Sequence, residues 1–220
     1  MANLRVSGFK HVSFWAEHDI GIIAVRTDTG GKANVEMLGE LVIAVSNAAV
    51  DENVLALVIT GTNNNFLAGL LWNPESQDFL HTLDTSHTLV NLLIKFEKPI
   101  FALLNGDCMD FGYELALITD YIIATEGSRV GFSRGYTFIA GGSVTWNRFR
   151  SPGIQRAEER VNVDRVLPRD SFLDKSMDTV RDLSSFPFSI IRQQMASQIV
   201  RGTSLEADLL IRNYIEKNKG

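Results

Sequence analysis

The chain has 220 residues, 45% of them hydrophobic and 21% charged, with a formal net charge of -5. That is enough for one globular domain with a sizeable core and a small appendage. The lack of a basic excess argues against nucleic acid as a partner, and no apolar stretch reaches the ~20 residues of a membrane-spanning helix. A single cysteine, Cys108, excludes an intrachain disulfide framework and fits a reducing compartment. The first residues show no apolar run followed by a small-residue cleavage site. The expectation is a soluble, cytoplasmic protein.

In chain order, Val12 to Ala16 and Ile22 to Val25 read as a hairpin, with Asp19 and Gly21 favouring the turn. Asn34 is a good N-cap, and Met37, Leu38, Leu41, Val45 and Ala48 then recur at helical spacing as far as Val50. Val54 to Thr60 is a continuous apolar run of strand length. Runs without alternation suit strands covered on both faces, as in a parallel sheet flanked by helices. Phe79 to Phe96 reads as a helix, Ile100 to Leu104 as a strand and Tyr121 to Ala124 as another. Alternating strands and helices of this kind argue for an α/β layer with right-handed crossovers. The C-terminal third reads as three helices without strands: Asp170 to Leu183, Phe188 to Arg201 with Gly202 as a stop, and a last helix through Ile215 opened by the Thr203/Glu206 capping box.

Lys98 to Asp120 is where chemistry is expected. The strand Ile100 to Leu104 stops at Asn105-Gly106, and a helix begins around Gly112-Tyr113-Glu114. N–H groups at a helix start lack intrahelical partners and sit at the positive end of its dipole. They can receive an oxygen that gains negative charge during a reaction. Glu114 falls in the first turn of that helix, either as an acid/base group or as a simple helix-start carboxylate.

Four stretches give a resemblance to a known family: VLALVITGTNNNFLAGL, KPIFALLNG, GYELALITDYIIATEGSRVGF, and Lys32-x-Asn34 before a helix. Together they resemble the crotonase (enoyl-CoA hydratase/isomerase) superfamily over about residues 9 to 149. The resemblance implies an α/β fold, a crotonase-like spiral of ββα turns over 1–149 with a C-terminal helical region over 150–220. That region would pack homotrimers or dimers of trimers. It also implies an acyl-CoA thioester substrate, with coenzyme A present only as part of the substrate and no metal. Two backbone N–H groups would form the oxyanion hole. By position these are Leu70, after Ala68-Gly69, and Phe111, three residues before Glu114. Lys32, Ala68, Gly69 and Gly112 would contact the substrate. A glycine lost at 111 restricts φ and the approach of a ligand.

The departures from the pattern matter for function. The second glutamate of such hydratases and isomerases falls where Arg134 stands, and an arginine stays protonated. Arg134 instead suits a carboxylate or phosphate of the substrate, a structural ion pair, or a pair with Glu114. Tyr136 is the nearest polar substitute and a candidate for the pocket wall. His81, after the first oxyanion turn, is the better of two histidine candidates for catalysis. Asp107 and Asp110 cap the helix or replace the missing acid. A C–C hydrolase branch acting on β-diketones, resembling 6-oxocamphor hydrolase, is an alternative, although Phe132 to Trp146 contains no histidine. A catalytically degenerate member kept for binding is the third reading. P-loop, Rossmann and serine-elbow motifs are absent, which argues against NTPases, dehydrogenases and serine hydrolases.

Overall fold

A computed structural model describes residues 9–27, 31–62, 64–71, 73, 78–134, 136, 153–159, 162–186 and 188. It opens with the expected hairpin, β1 (Val12–Glu17) against β2 (Ile20–Val25). The turn is His18-Asp19, with His18 in the left-handed region at φ 58, rather than one built on Gly21. Gly21 instead lies inside β2, close to the side chain of Val54. The short strand β3 (Lys32–Ala33) leads into α1 (Val35–Val50), whose N-cap Asn34 accepts the Met37 N–H at 2.8 Å. Then come β4 (Ala56–Gly61), β5 (Gly69–Leu70), α2 (Phe79–Lys95), β6 (Ile100–Leu104), β7 (Cys108–Met109), α3 (Phe111–Ile118), β8 (Tyr121–Thr125) and β9 (Arg129–Gly131). The chain continues with β10 (Ile154–Arg156), β11 (Arg165–Leu167) and α4 (Phe172–Leu183).

Six strands form the main sheet in the order β1-β2-β4-β6-β8-β11. Only the β1–β2 pair is antiparallel; the rest run parallel, as the unalternating apolar runs required. Side chains alternate across each strand. In β4 and β6, Leu57, Ile59, Ala102 and Leu104 join a core with α1, α2 and α3. Val58, Phe101 and Leu103 point the other way, into a second core with Phe172, Met177 and Val180 of α4. One helical layer therefore covers each face.

The C-terminal third departs from the expectation of helices alone. β10 pairs with β9 in a three-stranded sheet with β7, and β11 adds an edge to the main sheet beside β8. The main sheet thus runs past residue 149. Both strands have three residues, too few to show a period, and their side chains are mostly exposed or half-buried. β11 is set by a side chain: Asp164 accepts the Ile122 N–H at 2.7 Å. The helix expected from Asp170 begins at Phe172, after a 3-10 turn over Arg169–Ser171. The two helices expected beyond Phe188 lie outside the described residues. Among the described residues, no helix is long and apolar enough to cross a membrane, and no cluster of His, Cys, Asp and Glu has the makings of a metal site.

Candidate active site

The site forms where two parallel strands end side by side. After β4 and β6, the Asn105 side-chain amide donates to Gly61 O at 2.9 Å and ties the two exits together. From β4 the chain runs through the Phe66-Leu67-Ala68 turn into β5, and from β6 through β7 into α3. Met109 N–H donates to Leu67 O at 3.0 Å. Gly112, in the first turn of α3, lies so close to the same carbonyl that a Cβ there would sit 2.0 Å from the oxygen. Only a glycine permits that approach. The turn carrying Leu70 and the start of the helix carrying Phe111 are thereby pressed together.

The β5 side is fixed by β3. Ala68 N–H donates to Gly31 O at 2.6 Å and Leu71 N–H to Ala33 O at 2.7 Å. Successive N–H groups along a strand point to opposite edges, so the Leu70 N–H faces away from β3. Phe111 is the first residue of α3, whose opening N–H groups have no intrahelical acceptor. Its side chain is fully buried in the core. The expected cost of losing a glycine at 111 falls elsewhere: Phe111 is helical, and the positive φ belongs to Asp110, at φ 52 and ψ -120.

Glu114 is completely buried in the first turn of α3. Its Oε2 accepts the Tyr136 hydroxyl at 3.3 Å. Tyr136 stacks on Phe132, with centroids 5.5 Å apart and planes 10° from parallel, and Phe132 packs on Tyr113 at 5.1 Å. Burial raises the Tyr136 phenol well above its ordinary range, and the charges of Glu114 and Asp110 push the same way. Arg134 is exposed, and no ion pair among the described residues joins it to Glu114. The Arg134–Glu114 pair does not form.

Neither aspartate caps α3 through its side chain. Asp110 accepts the Ser133 N–H at 2.6 Å and the Ser133 hydroxyl at 2.8 Å, while its own N–H donates to Gly131 O at 2.9 Å. It clamps the strand exit after β9 onto the helix start. Asp107 instead accepts from the Arg129 backbone N–H at 2.8 Å and Nε at 2.9 Å, and forms an ion pair with that guanidinium. Both carboxylates are therefore committed to protein partners. Burial pushes the Cys108 thiol up, as expected of a packing residue rather than a nucleophile.

Beside Leu70 opens a cavity of about 420 Å³, lined by Lys32, Asn34, Val35, Leu70, Leu71, Asn73, Asp78 and Thr82. Lys32, a substrate-contact candidate from the sequence, is among the lining residues. His81 is exposed on α2 and does not line this cavity; its neighbour Thr82 and the N-cap Asp78 do. Their i, i+4 spacing across the start of α2 was the available signal for them. The Asp110–Ser133 clamp spans 23 residues and left no local pattern to read. The turn over 139–142 lies outside the described residues. A second cavity of about 450 Å³ lies between the main sheet and α4 and contains none of the candidate site residues.

Residues 32–209 match the enoyl-CoA hydratase/isomerase family. Over 186 residues the chain is 30% identical to 2,3-dehydroadipyl-CoA hydratase of Escherichia coli K12, covering 76% of this chain and 72% of that protein. It is 27% identical over 174 residues to 4-chlorobenzoyl coenzyme A dehalogenase-2 of an Arthrobacter species, covering 73% of this chain and 62% of the dehalogenase. Among solved structures, an enoyl-CoA hydratase subunit I from Geobacillus kaustophilus superposes with a TM-score of 0.74 at 23% identity, over 96% of this chain and 90% of that one.

Proposed function

The chain belongs to the enoyl-CoA hydratase/isomerase family, and from that premise we propose that it is an enzyme that binds an acyl-CoA thioester and stabilises an enolate oxygen at the paired turns. The observation that carries this reading is the contact of Gly112 with the Leu67 carbonyl, which brings the two turns together. The Leu70 and Phe111 N–H groups receive the thioester oxygen. Preformed donors of this kind contribute about 2.7–4 kcal/mol each to the transition state. Glu114 is the acid/base group, buried one helical turn inside the second donor. Lys32, at the cavity beside Leu70, offers an ammonium to the phosphates of coenzyme A. Coenzyme A enters only as part of the substrate. A relative named as a hydratase makes hydration of a 2-enoyl thioester, or its reversal, the first reaction to try. Assembly as a trimer or a dimer of trimers belongs to the same reading and is checked by light scattering.

Two measurements test it. In a thermal-shift titration with a non-reactive acyl-CoA thioether, ligand at 100 times its Kd adds about 2.7 kcal/mol to the folded state. At about 2–4 °C per kcal/mol this is a saturable rise of roughly 5–11 °C. Glu114→Gln keeps the rise and loses turnover by about 10²–10⁴-fold. No rise with any thioester analogue would leave the β-diketone hydrolase and the non-catalytic binding protein as the readings to pursue. An active Glu114→Gln enzyme would remove Glu114 from the chemistry.

A further inference from the structure

We propose that the Tyr136 hydroxyl is the second proton-transferring group of this site, handing to the substrate α-carbon the proton that Glu114 takes up. The inference rests on the reading of Glu114 given above. Adding water across a carbon–carbon double bond requires one proton to leave water and one to reach the α-carbon. Where Glu114 takes the proton from water, a group bonded to it can carry out that delivery, and Arg134 cannot be it: an arginine does not give up its proton. It is also exposed.

Tyr136 has the geometry for the task. Its hydroxyl donates to Glu114 Oε2 at 3.3 Å, a distance that catalytic hydrogen bonds often shorten once substrate binds. The ring is held from two sides. The stack on Phe132, itself against Tyr113, fixes its plane. The Asp110 clamp on Ser133 fixes the backbone three residues earlier. That clamp also occupies the Ser133 hydroxyl, and among the described residues of this stretch Tyr136 is bonded to Glu114. Burial and the nearby negative charges keep the phenol protonated, so the proton it passes on must be replaced from Glu114 as it leaves.

The transfers balance. An O–H bond of water breaks, its proton goes to Glu114, and its oxygen bonds the β-carbon. The π electrons move onto the thioester oxygen, giving the enolate held by the two N–H groups. The enolate then collapses. The α-carbon takes the Tyr136 hydroxyl proton while the Glu114 proton moves onto the phenol oxygen, so no free phenolate accumulates. One water has been added, and both residues return to their starting forms. Dehydration is the same sequence reversed.

The test compares wild type, Tyr136→Phe and Ser133→Ala. Each is given short- and medium-chain 2-enoyl-CoA esters, and a saturated acyl-CoA in D₂O to follow exchange of its α-hydrogens. The relay predicts that Tyr136→Phe lowers kcat by about 10²–10⁴-fold, with α-exchange at saturating ligand falling in parallel. The thermal shift with the acyl-CoA thioether is retained, because the ring and its stacking remain. Ser133→Ala loosens the clamp without touching the hydroxyl, and lowers both rates by a smaller factor. A structural role for Tyr136 would weaken the thermal shift and leave exchange at saturation unchanged. A wild type that hydrates enoyl-CoA alongside a Tyr136→Phe enzyme within about threefold of it would overturn the relay and leave the thioester reading standing. If Tyr136→Phe does not fold, unchanged rates and exchange in Ser133→Ala overturn the relay. A wild type inert toward every thioester overturns both.

Discussion

The two turns that meet at the site are built by different means. The first, Phe66 to Leu70, keeps the family pattern, with Ala68 and Leu71 bonded to the backbone of Gly31 and Ala33. The second, Asp110 to Glu114, has lost the glycine that the family pattern expects at 111. It keeps its shape with a side chain: Asp110 accepts a left-handed φ of 52 and in return holds Ser133 with both carboxylate oxygens. One turn is set by main-chain pairing, the other by a strained residue whose carboxylate is satisfied. The geometry of a backbone site can thus outlast the loss of a glycine, provided another interaction offsets the strain.

The largest break in this comparison removes the contact both turns share. Gly112→Ala places a methyl group 2.0 Å from the Leu67 oxygen, which belongs to the backbone and cannot swing aside. The turns must separate. The expected loss is about 3–5 kcal/mol, a fall in Tm of roughly 6–20 °C, with loss of the acyl-CoA thermal shift. A variant that melts like wild type would show that the packing of α3 on the Phe66 turn is not what holds the site.

A smaller effect separates the two contributions of Asp110. Asp110→Ala removes two hydrogen bonds to a carboxylate and keeps the strained φ, for a loss of about 2–3 kcal/mol. Asp110→Gly loses the same bonds but relieves the strain, so it melts higher than Asp110→Ala by about 1 kcal/mol in equivalent stability. Equal melting temperatures would mean that the left-handed backbone costs nothing here. Both variants release the stretch that carries Tyr136, so both also lower turnover.

The sheet was legible because its central strands are continuous apolar runs long enough to be recognised, and α1 because Asn34 and five apolar positions repeat at helical spacing. β3, β5 and β7 have two residues each and exist only because a partner strand lies beside them. No period can announce them. β10 and β11 were missed for the same reason. At the site, the two turns and the candidates Glu114 and Lys32 were read from local motifs. The bond from Tyr136 to Glu114 was not: the two lie 22 residues apart, and Arg134, two residues before Tyr136, drew attention because it stands where a carboxylate was expected. Asp110 and Asp107 look alike in sequence, yet they hold different partners, Ser133 and Arg129, because β9 brings those residues to each in turn.

The smallest effect tests that last difference. Partial burial works to raise the Asp107 carboxyl, but the bonds from the Arg129 side chain and backbone outweigh it and hold the carboxyl below its ordinary 3.8. A carboxylate with a depressed pKa in the folded state adds stability above its unfolded pKa, and that stability fades as pH falls through the folded value. Asp107→Asn therefore melts lower than wild type near neutral pH, by about 2–4 °C for a partly exposed pair. The gap holds down to about pH 4, near the ordinary value, and closes as acid protonates the wild-type carboxylate. High salt narrows it as well, since the Arg129 side chain faces solvent. Turnover at neutral pH stays close to wild type, because this clamp holds β9 to β7 and does not reach Tyr136. A gap that persisted at low pH would assign the stabilisation to packing of the Asp107 side chain instead of its charge.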